Sequence, residues 1–551
     1  MFLLAGGYAM YRAIQLRAGF GALAALAIGG TLGLLAASLQ ILPFLEYLRE
    51  SRILQLRSAS DGAVVGNPVA AIVTAFVPDF YGSPLRRRWV LLSTNYAEQQ
   101  MYAGIVTWLA AAMGVMTTRH RSRYVFFASA AVVALLLMFG SPLATMAARV
   151  IPPMRVMALG RFGFLVLGAV SVLAAIGVEE WLSVRAPRER LSLLAAALGA
   201  ALVMTVVVAY FLRTQYPLLE HGGQWRLAQR AVLEAAVFAG TALLLFAVAP
   251  ASGPAVASSC AIALMMFELL RFASGLHPLQ PRDQTFPMLP EIQLIQQDPG
   301  LFRVTGWVDT LLPNTATAYG LYDVRLYDGM TVAKYADFLD LTLRPSNTTH
   351  QLASITAPHL LDFLNLKYIL APPDVDFPAP RFELILNGPV RVYRNRSVRP
   401  RATLVGQYVV AVGDAARRLL RRGEIDLTQS VVLQRRVAPA DEPARDGPPG
   451  EARIERYEDD HVRVVTSCER AQLLVLADVY YPGWVASVDG KPAAIHRANI
   501  GFRAVSVPAG QHVVEFSYRP LSVRVGLAGS IVGLLGLAAM FWRGATAPSA
   551  S

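Results

Sequence analysis

Residues 191–212 read LSLLAAALGAALVMTVVVAYFL, an apolar run without a single charged side chain. Folded as a helix it spans the roughly 30 Å hydrocarbon core of a bilayer, where backbone N–H and C=O groups find no water and must bond within the segment. Working outward, comparable runs occupy residues 1–13, 20–39, 102–116, 124–139, 162–178, 231–248, 255–270 and 521–542. The sequence therefore predicts nine transmembrane helices, the first of them short. Composition agrees: 54% of the residues are hydrophobic and 16% charged, with a mean hydropathy of +0.43. That is more apolar than a water-soluble chain of this length can bury.

A formal charge of +12 would point to nucleic acid in a soluble protein. Here the arginines gather in short loops between apolar runs, where they orient helices in a membrane, so no nucleic-acid partner is expected. Arg12 and Arg17, then Arg119, Arg121 and Arg123, then Arg185, Arg188 and Arg190 fall in every second loop, with Arg543 just past the last run. Those loops read as cytoplasmic. By alternation residues 40–100, 140–161, 213–230 and 277–520 read as outside. Residues 250–254 are uncharged and carry no vote, and Arg86, Arg87 and Arg88 sit in a long outer loop where the charge rule is weak. Lysine occurs only at Lys334, Lys367 and Lys491, which points to a GC-rich bacterial genome and to no chemistry. Cys260 lies in an apolar run and Cys468 in the outer region, so no intramolecular disulfide is expected. Met1 opens within an apolar run, with no charged leader and no small-residue cleavage site; this reads as a helix joined midway, with further spans expected ahead of it.

From Phe302 the chain changes character, and polar turns with mixed helix and strand signals replace the long runs. Residues 360–370 (LLDFLNLKYIL) and 390–393 fit a helix end feeding strands of a small α/β unit, and 415–422 reads as a short basic helix. Residues 438–450, rich in Pro, Asp, Glu and Gly, read as a linker. Beyond it, Asp489-Gly490 is a hairpin turn signal between 484–488 and 493–497. His512, Val514, Phe516 and Tyr518 share one face of a last strand, and Val513, Glu515, Ser517 and Arg519 the other. This period of two predicts a half-buried antiparallel strand and hence a β-sandwich. The domain plan is a transmembrane region over 1–275, an extracytoplasmic α/β region over 276–437, a linker over 438–450, a β-sandwich over 451–520 and a final span over 521–543.

The motifs YPGW (481–484), VDGK (488–491), RAN (497–499), FRAV (502–505), PAGQH (508–512) and YRP (518–520), with an apolar run directly after them, resemble the C-terminal signature of the YfhO family of bacterial membrane proteins. Upstream, Asn95-Tyr96 with Glu98, Tyr102-Ala103-Gly104, residues 155–161, Tyr368 within LNLKYIL, residues 392–395 and Pro400-Arg401 resemble it too, so that the resemblance covers nearly the whole chain. Members of that family are similar to multi-span glycosyltransferases of the GT-C architecture, which take a polyprenyl-phosphate-linked sugar as donor. The resemblance implies a GT-C-like fold in a bacterial cytoplasmic (inner) membrane, with the large domain extracytoplasmic. It implies transfer of a sugar to an envelope glycan or lipid acceptor on the outer face. In GT-C enzymes the acidic catalytic residue lies in the first outer loop; this chain reads as starting after that loop, so its main base is expected to be missing.

Sugar transfer from a phosphate leaving group needs a carboxylate to take the acceptor proton, and cations or a metal to steady the departing phosphate. Glu46, Asp79 and Glu98 are the outer-loop carboxylates, with Glu98 preferred and Asp79 beside it as catalytic candidates. The plainer reading of each is a solvated or locally paired carboxylate. Arg52, Arg155 and Arg161 lie at outer helix ends, suited either to a two-point grip on a donor phosphate or to snorkelling among ordinary headgroups. Asn95, Tyr96, Tyr481 and Trp484 are the candidate sugar contacts, with Tyr480 in the same aromatic group, against core packing as the plainer reading. Asp489 belongs to its turn. Glu234 and Glu268 fall at or inside spans, which calls for a cavity or a partner, or simply for a wet position near the interface. No motif names a cofactor and no spacing defines a metal site, although the chemistry is compatible with a divalent metal. Membrane lipids are the surrounding partner. The competing reading is a non-catalytic transporter or envelope-assembly protein with a glycan-binding outer domain; neither an internal repeat nor a charged midplane cluster supports it.

Overall fold

The computed structural model describes residues 2–59, 66–84, 88–90, 96–117, 119–151, 154, 157–184, 186–274, 276, 280–325, 327–328, 330–345, 350–444 and 448–546. Its contacts divide the chain into two compact units, Met1–Leu26 with Ser60–Gln280, and Ala27–Ala59 with Pro281–Ser551.

Among the described residues six helices are long and apolar enough to cross a membrane: Arg121–Met138, Leu159–Ser183, Pro187–Thr214, Trp225–Val248, Pro254–Ala273 and Leu521–Trp542. The pair Phe20–Ala36 and Ser38–Glu50, bent by 66°, makes up to seven if it counts as one span. By length and composition the described residues thus give six or seven candidate spans, against nine expected. The run at 1–13 forms the 14-residue helix Phe2–Gln15, and the run at 102–116 contains the 9-residue helix Ile105–Met113 continued by the 3-10 turn Gly114–Met116. At about 1.5 Å per residue, and about 2.0 Å in the 3-10 end, the latter is about 20 Å long, roughly two-thirds of a bilayer core. It is a short helix buried among the others. Leu109, Ala110 and Met113 pack with Val166, Val170, Leu173 and Ala174 of Leu159–Ser183. Small residues allow this approach: a Cβ at Gly177 would lie 1.8 Å from the Ala110 carbonyl oxygen.

In the other unit, the last helix, Leu521–Thr546, crosses the break at Ala37 on a row of glycines. A Cβ at Gly533 would lie 2.3 Å from the Ala36 nitrogen, and one at Gly526 2.8 Å from the Ser38 carbonyl. Ser530 Oγ accepts from the Leu39 N–H at 3.0 Å, and Ser38 Oγ donates to the Gly526 carbonyl at 2.7 Å. Backbone polarity released by the bend thus finds partners, the condition for an interrupted helix in an apolar setting.

The polar region of this unit holds three larger sheets. A mixed five-stranded sheet runs in the order Tyr322–Asp323, Arg303–Gly306, Leu366–Ala371, Arg391–Asn395, Phe382–Leu386. The helix Pro358–Phe363 feeds Leu366–Ala371 as expected, and the basic helix is Gly413–Arg422. A six-stranded sheet (Ala402–Val405, Gln472–Val479, Phe502–Val507, His496–Ala498, Ser430–Leu433, Gln407–Val410) faces a five-stranded one (Glu451–Tyr457, His461–Cys468, Gly510–Tyr518, Trp484–Val488, Lys491–Ala493). The six-stranded sheet takes strands from both sides of residues 438–450.

That sheet is covered on both faces, which explains the unbroken apolar run LLVLA in Gln472–Val479. Leu474 and Leu476 meet Val464, Val514 and Phe516 inside the sandwich. Leu473, Val475 and Ala477 turn the other way, into a core with Phe338, Leu360, Phe363 and Phe502. The outer sheet of the sandwich keeps the alternation predicted for its last strand, with Val514 and Phe516 buried at 0% exposure. Asp489 and Gly490 adopt φ of 50° and 76°, and Val488 pairs with Lys491 across the turn. The expected return strand at 493–497 is divided, since Lys491–Ala493 stays in this sheet and His496–Ala498 joins the other.

Candidate functional site

The candidate residues fall into two groups, one in each unit. In the helical unit the centre is the four-residue helix Tyr96–Gln99. Glu98 accepts from Arg161 Nε at 3.0 Å, with the carboxylate side chain 15% exposed and the guanidinium side chain 68%. Asn67 Nδ2 donates to the Glu98 carbonyl at 2.7 Å. Its Oδ1 would sit 2.6 Å from a Cβ at Gly160, so Asn67, bonded to the Glu98 turn, packs against the turn bearing Arg161. The Tyr96 hydroxyl donates to Asp79 Oδ1 at 3.2 Å; burial, then the Asp79 charge, raise its pKa above the ordinary phenol value. Thus Asp79, Tyr96, Glu98 and Arg161 share one neighbourhood. Asn95 and Arg155, like Arg86 and Arg87, lie outside the described residues.

Asp79 also lines a small recess with Gly82, Ser83, Leu227, Arg230, Ala231 and Glu234. Glu234 holds Arg271 of the next helix through both carboxylate oxygens, at 3.0 and 3.2 Å. An apolar groove of about 240 Å³ shares the same two elements: Phe76 and Val77 precede Asp79 in the chain, and Val232, Ala235, Ala236 and Ala239 follow Arg230 along one helix. Met204, Val208 and Leu212 of Pro187–Thr214 form its opposite wall. Residues 76–83 and the start of Trp225–Val248 therefore border an apolar groove and a polar recess together. Arg230 has no sequence motif to mark it.

Glu268 differs from the wet interfacial carboxylate that its position in a span allowed. It is 1% exposed. Its Oε1 accepts from the Tyr102 hydroxyl at 2.5 Å and from the Ile105 N–H at 2.6 Å; its Oε2 accepts from the Val106 N–H at 3.3 Å. A carboxylate from another helix thus caps this buried short helix where backbone donors are unpaired and the helix dipole is positive. Its partner is structural.

In the second unit Arg52 Nη1 meets Asp340 Oδ2 at 2.6 Å, with both side chains about three-quarters buried. This pairing, more than an open guanidinium awaiting phosphate, is what the structure gives Arg52. Tyr481 stands between Tyr47 and Tyr518, each with ring centroids 6.2 Å away, and Trp484 packs on Tyr518 at 5.4 Å. Burial raises the Tyr481 phenol, followed by the charges around it, Glu46 among them. Arg503 stacks on Trp484 at 4.0 Å and Arg497 on Tyr480 at 4.5 Å. YPGW and YRP meet here: Arg519 N–H donates to the Gly483 carbonyl at 2.7 Å, and a Cβ at Gly483, where φ is +97°, would strike Pro520 at 2.9 Å. These aromatics join the sandwich to the start of the last helix. Among the described residues no group of three or more His, Cys, Asp or Glu side chains is arranged to hold a metal ion.

Long apolar helices together with a β-sandwich that leads into a terminal apolar helix define a polytopic membrane protein with a large polar region. Residues 450–530 match the family described as bacterial membrane protein YfhO. The match takes in the sandwich strands from Glu451 onward and the first turns of the last helix; the upstream motifs of the resemblance lie outside it. No curated protein and no solved structure matches the chain.

Proposed function

We propose that the chain acts as, or within, a membrane glycosyltransferase of GT-C-like character. It would transfer a sugar from a polyprenyl-phosphate donor to an envelope glycan or lipid on the outer face of a bacterial inner membrane. The observation that carries this reading is the apolar groove bordered by the same two elements as the polar recess of Asp79, Arg230 and Glu234. A lipid-linked donor has this amphipathic form, an isoprenoid tail and a charged phosphate-sugar head. In the reading, the groove takes the tail, Arg230 and Arg161 steady the phosphate as charge develops on it, and Asp79 or Glu98 accepts the acceptor's proton. Tyr96, held by Asp79, offers a ring face to the sugar.

The test is transfer by the full-length protein in lipid nanodiscs supplied with polyprenyl-phosphate sugar. Glu98→Ala, Arg161→Ala and Arg230→Ala should each lower transfer about 10²-fold or more without lowering expression. Unchanged transfer in all three sinks the assignment. A reporter fused within residues 302–518 and found in the cytosol would remove the outer-face chemistry. The competing transporter reading draws on the break at Ala37, but there the free Leu39 N–H is already taken by Ser530.

A further inference from the structure

Three arginines far apart in sequence converge on one buried carboxylate in the polar region of the second unit. Arg303 comes from the mixed sheet, Arg503 and Asp478 from the six-stranded sheet, and Arg401 from the residue just before Ala402–Val405. Arg303 Nη2 donates to Asp478 Oδ1 at 2.8 Å. Arg503 Nη2 lies 3.5 Å from Oδ2 and Arg401 Nε 3.9 Å from Oδ1. The Tyr457 hydroxyl is 3.2 Å from both carboxylate oxygens. Residue exposures are 8% for Arg303, 3% for Arg401, 3% for Arg503 and 5% for Asp478. Three positive charges and one negative leave the group at +2, out of water, where like charges repel and Asp478 offsets only part of the desolvation.

Hydrogen bonding is as incomplete as charge. Arg401 Nε, Nη1 and Nη2 and Arg503 Nε and Nη1 are buried and have no acceptor among the described residues. Aromatic rings cover the flat faces of both groups. Arg401 lies over Tyr322 and Tyr457, each 4.8 Å from its carbon, and Arg503 over Trp484 at 4.0 Å and Phe516 at 5.3 Å. Stacking satisfies the faces of a guanidinium but leaves its in-plane donors unused.

We propose that Arg303, Arg401 and Arg503 form a buried binding site for a small free oxyanion of the phosphate or sulfate class. An oxyanion accepts from guanidinium edges in pairs and carries the negative charge that the group lacks; ordered water supplies acceptors but no charge. Near-complete burial excludes a phosphate joined to a lipid or a glycan chain and admits only a free ion. Tyr322, 44% exposed, is the cover through which the ion reaches Arg401. Since Tyr322 and Arg303 belong to the mixed sheet, Asp478 and Arg503 to the six-stranded sheet and Tyr457 to the outer sheet of the sandwich, the bound ion pins three sheets together. The proposal is independent of the glycosyltransferase reading.

The experiment uses the full chain in nanodiscs, dialysed free of phosphate and sulfate, and follows the unfolding midpoint on addition of sodium phosphate or of sodium chloride at equal ionic strength. Phosphate should raise the midpoint saturably, by about 5 °C at a hundredfold excess over its Kd, and chloride should not. Arg401→Met, which keeps an unbranched apolar stem but removes the guanidinium, should abolish the phosphate shift. If that variant fails to fold, equilibrium dialysis of radiolabelled phosphate with the wild-type chain decides, one saturable ion per chain being expected. Equal shifts with both salts, an undiminished shift in Arg401→Met, or no saturable uptake would mean that only water fills the group, and would overturn the proposal.

Discussion

Replacing Glu268 by alanine removes the acceptor for the Tyr102 hydroxyl and for the Ile105 and Val106 N–H groups at one stroke. Each buried donor left unpaired costs about 1–3 kcal/mol, and the lost attraction between carboxylate and helix N-terminus adds about 0.3–2 kcal/mol. Recovery of the desolvation cost of the carboxylate, and a water in the vacated space, offset part of this. The low end of the sum, about 3 kcal/mol, is the expected loss. For a helical unit of this size it lowers the unfolding midpoint by roughly 6–12 °C. Glu268→Gln keeps one acceptor oxygen but turns an amide N–H₂ toward donors, so it should fall between alanine and wild type. Tyr102→Phe deletes a single donor, keeps the ring contact with Phe272 at 5.0 Å, and should cost about 1 kcal/mol. Differential scanning fluorimetry of the purified protein measures all three. A Glu268→Ala midpoint within a degree or two of wild type would refute the capping role.

Three further outcomes are expected. Gly533→Val should lower the same midpoint, because its Cβ position is 2.3 Å from the Ala36 nitrogen, whereas Gly199→Val, with nothing within 4 Å, should leave it nearly unchanged; equal effects would contradict the close helix contact. Phe502→Ala should cost about 3–5 kcal/mol, since Phe502 is fully buried and in ring contact with Phe338 at 4.8 Å and Phe363 at 4.9 Å; chemical denaturation reads the loss. The third concerns pH. His512 Nδ1 meets Asp489 Oδ2 at 2.6 Å; that bond raises the imidazole above 6.5 and lowers the carboxyl below 3.8. The raised histidine contributes fully below pH 6.5 and loses its contribution as pH rises through its folded pKa. The lowered aspartate contributes above pH 3.8 and loses its contribution as pH falls through its folded value. The hairpin should therefore be best protected between those limits, as read by hydrogen exchange at the Val513 amide, which donates to Asp489 Oδ1. Protection unaffected by Asp489→Asn at pH 5 would dismiss the pair.

Much of the architecture is readable along the chain because it arises from local repetition. A run such as 191–212 must be helical wherever water is absent, and the alternation of Val514 and Phe516 with Val513 and Glu515 marks a strand with one buried face. Asp489-Gly490 marks the turn between Trp484–Val488 and Lys491–Ala493 because both residues tolerate positive φ. The number of spans is not readable in this way. Residues 102–116 are apolar because other helices surround them, and lipid tails are as apolar as leucine, so composition does not distinguish a short helix inside the bundle from a span across it.

What the tertiary structure alone decided are the single contacts between distant segments. Glu268 under the short helix at Ile105, Ser530 at the break after Ala37, Arg52 against Asp340, Asn67 on the Glu98 carbonyl, and the arginines around Asp478 carry no periodicity and no spacing rule. The same holds for the groove and recess that residues 76–83 and Trp225–Val248 share, formed by residues more than a hundred positions apart. Hydrophobic pattern dictates which segments leave water and in what local form. Which charge meets which, once they have left it, depends on how the segments pack.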